Sequence, residues 1–314
     1  MTKTNTAAID LGTNSCRLLI TDEKGNIVCR NAVSTRMGEK MSENKRFTDE
    51  AIKRGIECFC NFKQLMDQND VKQYRAVATA ACRVAENGAE FVEKIKQHAN
   101  IDLEIISGAE EARLNLLGAI KNMTDPKKEY VVLYDLGGGS TEITLANRNA
   151  EIIYTISIPW GARNSAEIFS INDYDEEKAD CLRREITSYC REFRKAVHLS
   201  QYKGKVCFMA TSSTPLRLAH IVKGWEKYER ERADGIKIAV SDFNRVIGDI
   251  FSSTEDKRRQ NPYIGETRAD IFVAACVIFS QIYTILGAKE LIVSLKGAVE
   301  GITEELQNGT YQNS

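Results

Sequence analysis

Apolar and polar positions along the chain change period several times, and each change predicts an element. Residues 17–21 alternate, break at the polar turn 22–26 and resume from Ile27; residues 143–145, a polar turn at 147–149 and residues 151–158 repeat that pattern. Both stretches predict β-hairpins. Three-to-four spacing takes over at Ile52, Ile56, Phe59, Phe62 and Met66, in a helix that Thr48 can cap and whose first-turn acids Asp49 and Glu50 suit the helix dipole. A strand over 74–80, a helix over 89–98 and a strand over 101–106 follow. Ser107 with Glu110 three residues on is a capping-box signature, opening a helix over 109–123.

Past a polar break at Asp125-Pro126-Lys127-Lys128 the chain becomes more helical. Leu182, Ile186, Tyr189, Phe193 and Val197 form the core-facing stripe of a helix over 175–199. A short strand over 206–210 runs into Thr211-Ser212-Ser213-Thr214-Pro215, a hydroxyl-rich turn and helix start. Ser241 can cap a short helix, and residues 268–286, apolar nearly all round, predict a buried helix stopped by Gly287. A strand over 291–294 and a helix over 297–306 with a frayed tail complete the pattern.

Laid over itself, the chain shows a repeat. Ile9-Asp10-Leu11-Gly12-Thr13-Asn14-Ser15-Cys16 aligns with Tyr134-Asp135-Leu136-Gly137-Gly138-Gly139-Ser140-Thr141, sharing Asp, Leu, Gly and Ser in register at an offset of 125 residues. Two similar lobes are expected, each opening with strand, turn and strand.

The 314 residues suit two domains, and 43% apolar with 28% charged residues is an ordinary globular composition. The formal charge of −1 gives no global field to attract nucleic acid or an anionic membrane, so neither partner is expected. Nine scattered cysteines without a Cys-x-x-Cys pair, and a polar lead-in over residues 1–8, favour a reduced, cytoplasmic protein. The longest apolar run, residues 271–279, is too short to span a bilayer.

The repeat carries the candidate chemistry. Gly137, Gly138 and Gly139 are costly in a strand, a cost accepted where backbone must approach a ligand closely. Successive N–H groups can then make an anion-binding concavity, with Ser140 and Thr141 adding hydroxyls. Thr13, Asn14 and Ser15 can serve the same way in the first copy. Asp10, Asp135 and Glu142, in or beside these loops, are hard oxygen ligands of the kind Mg²⁺ prefers. The histidines, His98, His198 and His220, have no ligand spacing, which argues against zinc. Glu110 has a capping task, whereas Glu111 beside it does not; taken alone, neither Glu111 nor Arg83 stands out.

Residues 8–19, 78–83, 105–114, 135–142 and 268–270 together resemble the exopolyphosphatase/guanosine pentaphosphate phosphohydrolase family, in order and in spacing, almost end to end. The resemblance implies an α/β fold of two ribonuclease-H-like lobes of the actin, sugar-kinase and heat-shock ATPase superfamily with a cleft between them. It places the N-terminal lobe at 1–125, joined by a C-terminal helix at 300–314, and the C-terminal lobe at 126–299.

It also implies Mg²⁺-dependent release of orthophosphate from the end of inorganic polyphosphate, or hydrolysis of guanosine pentaphosphate. Glu111 matches the catalytic glutamate, Arg83 a basic residue facing the cleft, and Asp135 and Glu142 the acids associated with the metal. Thr13, Asn14, Ser15 and residues 137–140 match the phosphate loops, with Ser212 on a third hydroxyl-rich turn. A sensor that binds these ligands with little turnover, and a sugar kinase or chaperone-type ATPase, are the competing readings; a homodimer is compatible with the resemblance. The chain departs from the family in two places: residues 210–214 lack the usual glycine, and Val299 stands where an arginine is expected, leaving Lys296 as the nearby cation for a phosphate.

Overall fold

Strands buried along nearly their whole length, and so on both faces, build the centres of two sheets. The computed structural model describes residues 5–311; residues 1–4 of the polar lead-in and 312–314 of the expected frayed tail lie outside the described residues. Contacts divide the chain into two units, residues 1–118 with 298–314, and residues 119–297.

In the first unit the chain runs β1 (Asn5–Leu11), β2 (Cys16–Thr21), β3 (Ile27–Val33), α1 (Met41–Asn44), α2 (Asp49–Gln68), β4 (Val71–Ala78), α3 (Ala80–Val84), α4 (Gly88–Ala99), β5 (Leu103–Ile105) and α5 (Gly108–Ala119). β1–β3 form an antiparallel meander, and β4 and β5 add in parallel, for the order β3-β2-β1-β4-β5. The Thr48 hydroxyl caps α2 by accepting from the Ala51 amide at 3.2 Å. Ile52, Phe59, Phe62 and Met66 then bury their face of α2 in the core with Ile9, Leu18 and Phe91.

The second unit repeats this path. β6 (Tyr130–Leu136), β7 (Thr141–Asn147) and β8 (Ile152–Ile158) form the meander, followed by α6 (Ala162–Ile168), α7 (Glu176–Ala196), β9 (Val206–Thr211), α8 (Ser213–Lys223), β10 (Lys237–Ala239), α9 (Val240–Phe251), α10 (Glu255–Gln260), α11 (Phe272–Leu286) and β11 (Glu290–Ser294). Its sheet order is β10-β11-β9-β6-β7-β8, so β8-β7-β6-β9-β11 reproduces the first sheet strand for strand. This is the ribonuclease-H-like α/β topology expected of both lobes. α11 is apolar around most of its circumference because core surrounds it, α7 included.

Several predicted boundaries move: the strand expected over 74–80 is β4, with Ala80 already in α3, and α7 ends at Ala196 before a 3₁₀ turn over Leu199–Tyr202. α11 begins at Phe272, because residues 265–271 are a turn in which the Arg268 amide donates to Gly265 O at 3.2 Å and the Ile271 amide to Arg268 O at 3.1 Å. α9 begins at Val240 after Ala239, so Ser241 lies inside the helix. The helix from 109 ends at Ala119, with a 3₁₀ turn over Ile120–Asn122.

The chain closes with α12 (Ala298–Asn308), which packs on β1, β2 and β4 of the first unit. Gly301 meets α5 so closely that a Cβ there would sit 2.0 Å from the Leu114 carbonyl oxygen. Val299 lies in this packing, 3% exposed, with Ala8, Leu19, Val77 and Leu114. Among the described residues no helix is long and apolar enough to cross a membrane, and all nine cysteines are free thiols.

Candidate functional site

The repeated motif folds into the same turn twice. In the first unit the Gly12 amide donates to Ser15 O at 3.0 Å; in the second the Gly137 amide donates to Ser140 O, also at 3.0 Å.

The first turn is pinned from outside. The Gly38 amide donates to Thr13 O at 2.8 Å and the Arg36 amide to Asn14 O at 3.1 Å, and the Thr13 and Asn14 side chains are buried. Asp10 faces Arg17 across the β1–β2 ladder, and their side chains pair at 3.3 Å. Burial pushes the Asp10 carboxyl above its ordinary value; Arg17 pulls it down and the Glu300 carboxylate adds to the rise.

Helices α3 and α5 carry Arg83 and Glu111 of the first unit. The Ser107 hydroxyl accepts from the Glu110 amide at 3.2 Å, one half of the predicted capping box. The other half is absent, because Glu110 turns instead to Arg113 at 2.7 Å and Arg75 at 3.0 Å. Arg75 is buried and also reaches Glu305 on α12 at 2.7 Å, so Glu110 belongs to a structural network. Glu111, 8% exposed, turns away from that network and accepts from Arg83 Nη1 at 2.8 Å. Arg83 is itself fixed by donating to Ile106 O at 3.0 Å.

In the second unit the glycine loop is held by its carbonyls. Amides at the start of α6 donate to it, Ala162 to Gly137 O at 2.9 Å and Arg163 to Gly138 O at 2.8 Å, and Asn164 Nδ2 donates to Gly139 O at 2.9 Å. With its carbonyls turned toward α6, the Gly138 and Gly139 amides donate to no protein acceptor among the described residues. Gly161 permits this contact: a Cβ there would lie 2.5 Å from both Gly138 C and Gly139 N.

The hydroxyls beside the loop are engaged within the protein. Thr141 Oγ1 donates to Trp160 O at 2.7 Å, and Ser140 Oγ to Glu142 Oε1 at 2.8 Å. The donors presented to an anion here are therefore backbone amides, with Ser140 and Thr141 shaping the loop.

Asp135 and Glu142 are direct partners in the β6–β7 ladder, and their carboxylate oxygens come within 4.8 Å of each other. Ser157, the β8 partner of Glu142, donates to Glu142 Oε1 at 2.8 Å. Two hard carboxylates brought together by sheet register, one oriented by two hydroxyls, fit a divalent cation such as Mg²⁺.

The third turn is strained. Ser212 has φ 95° and ψ −176°, a conformation almost confined to glycine, and its buried Oγ has no hydrogen-bond partner among the described residues. Thr211 Oγ1 donates to Lys296 O at 2.9 Å, while Lys296 Nζ pairs with Asp234 at 3.2 Å. The cation considered for a phosphate thus already holds a carboxylate. Sequence reasoning missed Ser157, Gly161 and Asn164. For the latter two, a glycine ahead of a short polar run after Pro159 is the available signal; Ser157 has none outside the register.

Known proteins resemble this chain in fold and in sequence. An exopolyphosphatase from Cytophaga hutchinsonii superposes at a TM-score of 0.90 with 25% identity over 98% of each chain. The Aquifex aeolicus member of the Ppx/GppA family superposes at 0.79 with 26% identity, over 99% of this chain and 100% of that one. The bifunctional 3-dehydroquinate synthase/phosphatase of Fusobacterium nucleatum is 27% identical over 94% of this chain, which spans about half (46%) of that relative's length. The Ppx/GppA phosphatase family itself matches over residues 19–308, nearly the whole chain, and the protein belongs to that family.

Proposed function

We propose that the protein is a Mg²⁺-dependent exopolyphosphatase that hydrolyses the terminal phosphoanhydride bond of inorganic polyphosphate. The observation that carries the reading is the loop at Gly138 and Gly139, whose amides donate to no protein acceptor among the described residues, on the same hairpin as the Asp135–Glu142 carboxylate pair. Phosphoryl transfer asks a protein for little covalent chemistry; it asks for a held nucleophile and neutralised phosphate charge.

Glu111 takes the first task. Its carboxylate accepts a proton from a water molecule as that oxygen bonds to the terminal phosphorus, and the bridging P–O bond breaks with its electron pair staying on the shortened chain. Orthophosphate is released. Arg83, bonded to Glu111 at 2.8 Å, keeps that carboxylate aimed. The amides of residues 138 and 139, with the turn at Thr13, Asn14 and Ser15, bind the phosphate oxygens. Asp135 and Glu142 hold the cation, with Asp10 shaping the first turn. When bound, Mg²⁺ neutralises charge on the departing phosphates.

Orthophosphate release, measured with Mg²⁺ and with chelator on long polyphosphate and guanosine pentaphosphate side by side, tests the reading. Mg²⁺-dependent release that is faster on polyphosphate is expected. Faster release from guanosine pentaphosphate reassigns the substrate, and no release from either overturns the hydrolase in favour of a sensor.

A further inference from the structure

The second unit contains a cavity of about 440 Å³ that the proposed phosphate chemistry does not use. It lies at the amino ends of β9 and β11, with Val206, Phe208 and Ile292 in its wall. Asp135, Thr211 and Ser294 lie at the carboxyl ends of the parallel strands β6, β9 and β11, so the cavity and the glycine loop occupy opposite edges of one sheet. The length of β9 separates them, about 17 Å at roughly 3.3 Å per residue.

The wall is mostly apolar, and the mouth is basic. Leu199, Leu286 and Ile292 are buried residues that line it. Four cations are among the lining residues, Lys128, Arg194, Lys203 and Lys289, the last three exposed, against a single acid, Glu290. Glu290 is drawn off by Lys237 at 3.8 Å on the neighbouring strand. Lys128 and Arg194 are anchored to carbonyls, of Gly204 at 3.0 Å and Ile285 at 2.8 Å; the second contact offsets the negative end of α11. Lys203 and Lys289 make no ion pair among the described residues. Cys207, also in the wall, has its thiol pushed up to about 11 by burial, so it adds no negative charge at neutral pH.

An apolar cavity of ligand size with charge of one sign at its mouth selects a molecule with an apolar body and one group of opposite charge. We infer that this cavity binds a medium-chain fatty carboxylate, its chain against Phe208 and Leu286 and its headgroup between Lys203 and Lys289. The occupant is argued from charge complementarity and volume together: a bare phosphate would leave the wall unfilled, and a neutral chain would leave the cations unused.

The experiment is displacement of the fluorescent amphipathic anion 1-anilinonaphthalene-8-sulfonate from the native protein. Decanoate should displace it, and decyltrimethylammonium and polyphosphate should not. The charge reversal Lys203→Glu with Lys289→Glu, at exposed positions, should weaken decanoate at least tenfold while melting temperature and orthophosphate release stay as in the unaltered protein. Phe208→Ala should weaken it severalfold from the apolar side. Failure of decanoate to displace the probe, undiminished affinity after the double reversal, or displacement by polyphosphate instead would each overturn the assignment.

Discussion

Arg83 Nη1 donates to Glu111 at 2.8 Å and to Ile106 O at 3.0 Å, so one guanidinium ties the end of β5 to the carboxylate that opens α5. A charge-assisted bond of this kind is short and directional, so it fixes where its acceptor points. Replacing Arg83 by Ala should lower kcat about a hundredfold with a much smaller change in KM, because the base is mispositioned while the phosphate loops remain. Arg83→Lys should recover part of the loss. Steady-state kinetics on polyphosphate checks this, and a change confined to KM would make Arg83 a binding residue.

Gly161→Ala introduces a Cβ where 2.5 Å separates it from Gly138 C and Gly139 N. Backbone cannot be pushed aside as a flexible side chain can, so the loop must move. A destabilisation of about 1–3 kcal/mol is expected, together with roughly tenfold weaker substrate binding, since about 1.4 kcal/mol is tenfold in affinity. Thermal melting and titration calorimetry measure the two effects. Normal affinity would mean that the loop's grip on phosphate does not depend on its contact with α6.

Ser212 occupies φ 95°, ψ −176°, which glycine adopts without a Cβ penalty. The strain stored by a non-glycine residue there is of order 1–3 kcal/mol, part of which glycine returns to the unfolded chain as entropy. Ser212→Gly should therefore raise stability by about 1 kcal/mol. A lower melting temperature would show that the buried hydroxyl contributes more than the backbone strain costs.

Much of the site was readable in the chain because repetition is a strong signal. The Asp-Leu-Gly copies at residues 10–12 and 135–137 became matching turns, and the stripe from Ile52 to Met66 with its Thr48 cap became α2. What escaped has a physical reason. α6 spans only seven residues and has no apolar stripe, yet its first amides hold the glycine loop. Ser157 reaches Glu142 through strand register, which local pattern does not encode. Val299 looked like a lost phosphate donor by its place in a motif, but α12 turns that face into the core against Leu19 and Val77, where a guanidinium would be buried among apolar side chains.

Glu110 gives the fold an acid limit. The hydrogen bond from Arg113 holds its carboxyl below the ordinary value of 4.5, assisted by Arg75 and opposed by burial. A carboxyl whose folded value is lowered stabilises the protein above the unfolded value, and the contribution disappears as pH falls through the folded value. Glu110→Gln should thus melt below the unaltered protein at pH 7, and the gap should narrow as pH falls below about 4.5. A gap independent of pH would remove the ion pairs as its source.

On the proposed reading Glu111 accepts the proton of the attacking water. The most direct measurement pairs orthophosphate release with polyphosphate affinity in Glu111→Gln, which keeps the side-chain shape and removes the base. Turnover should fall by at least a thousandfold, within the reach of general-base loss, with binding changed by less than threefold. Release at the unaltered rate from the folded variant would contradict it.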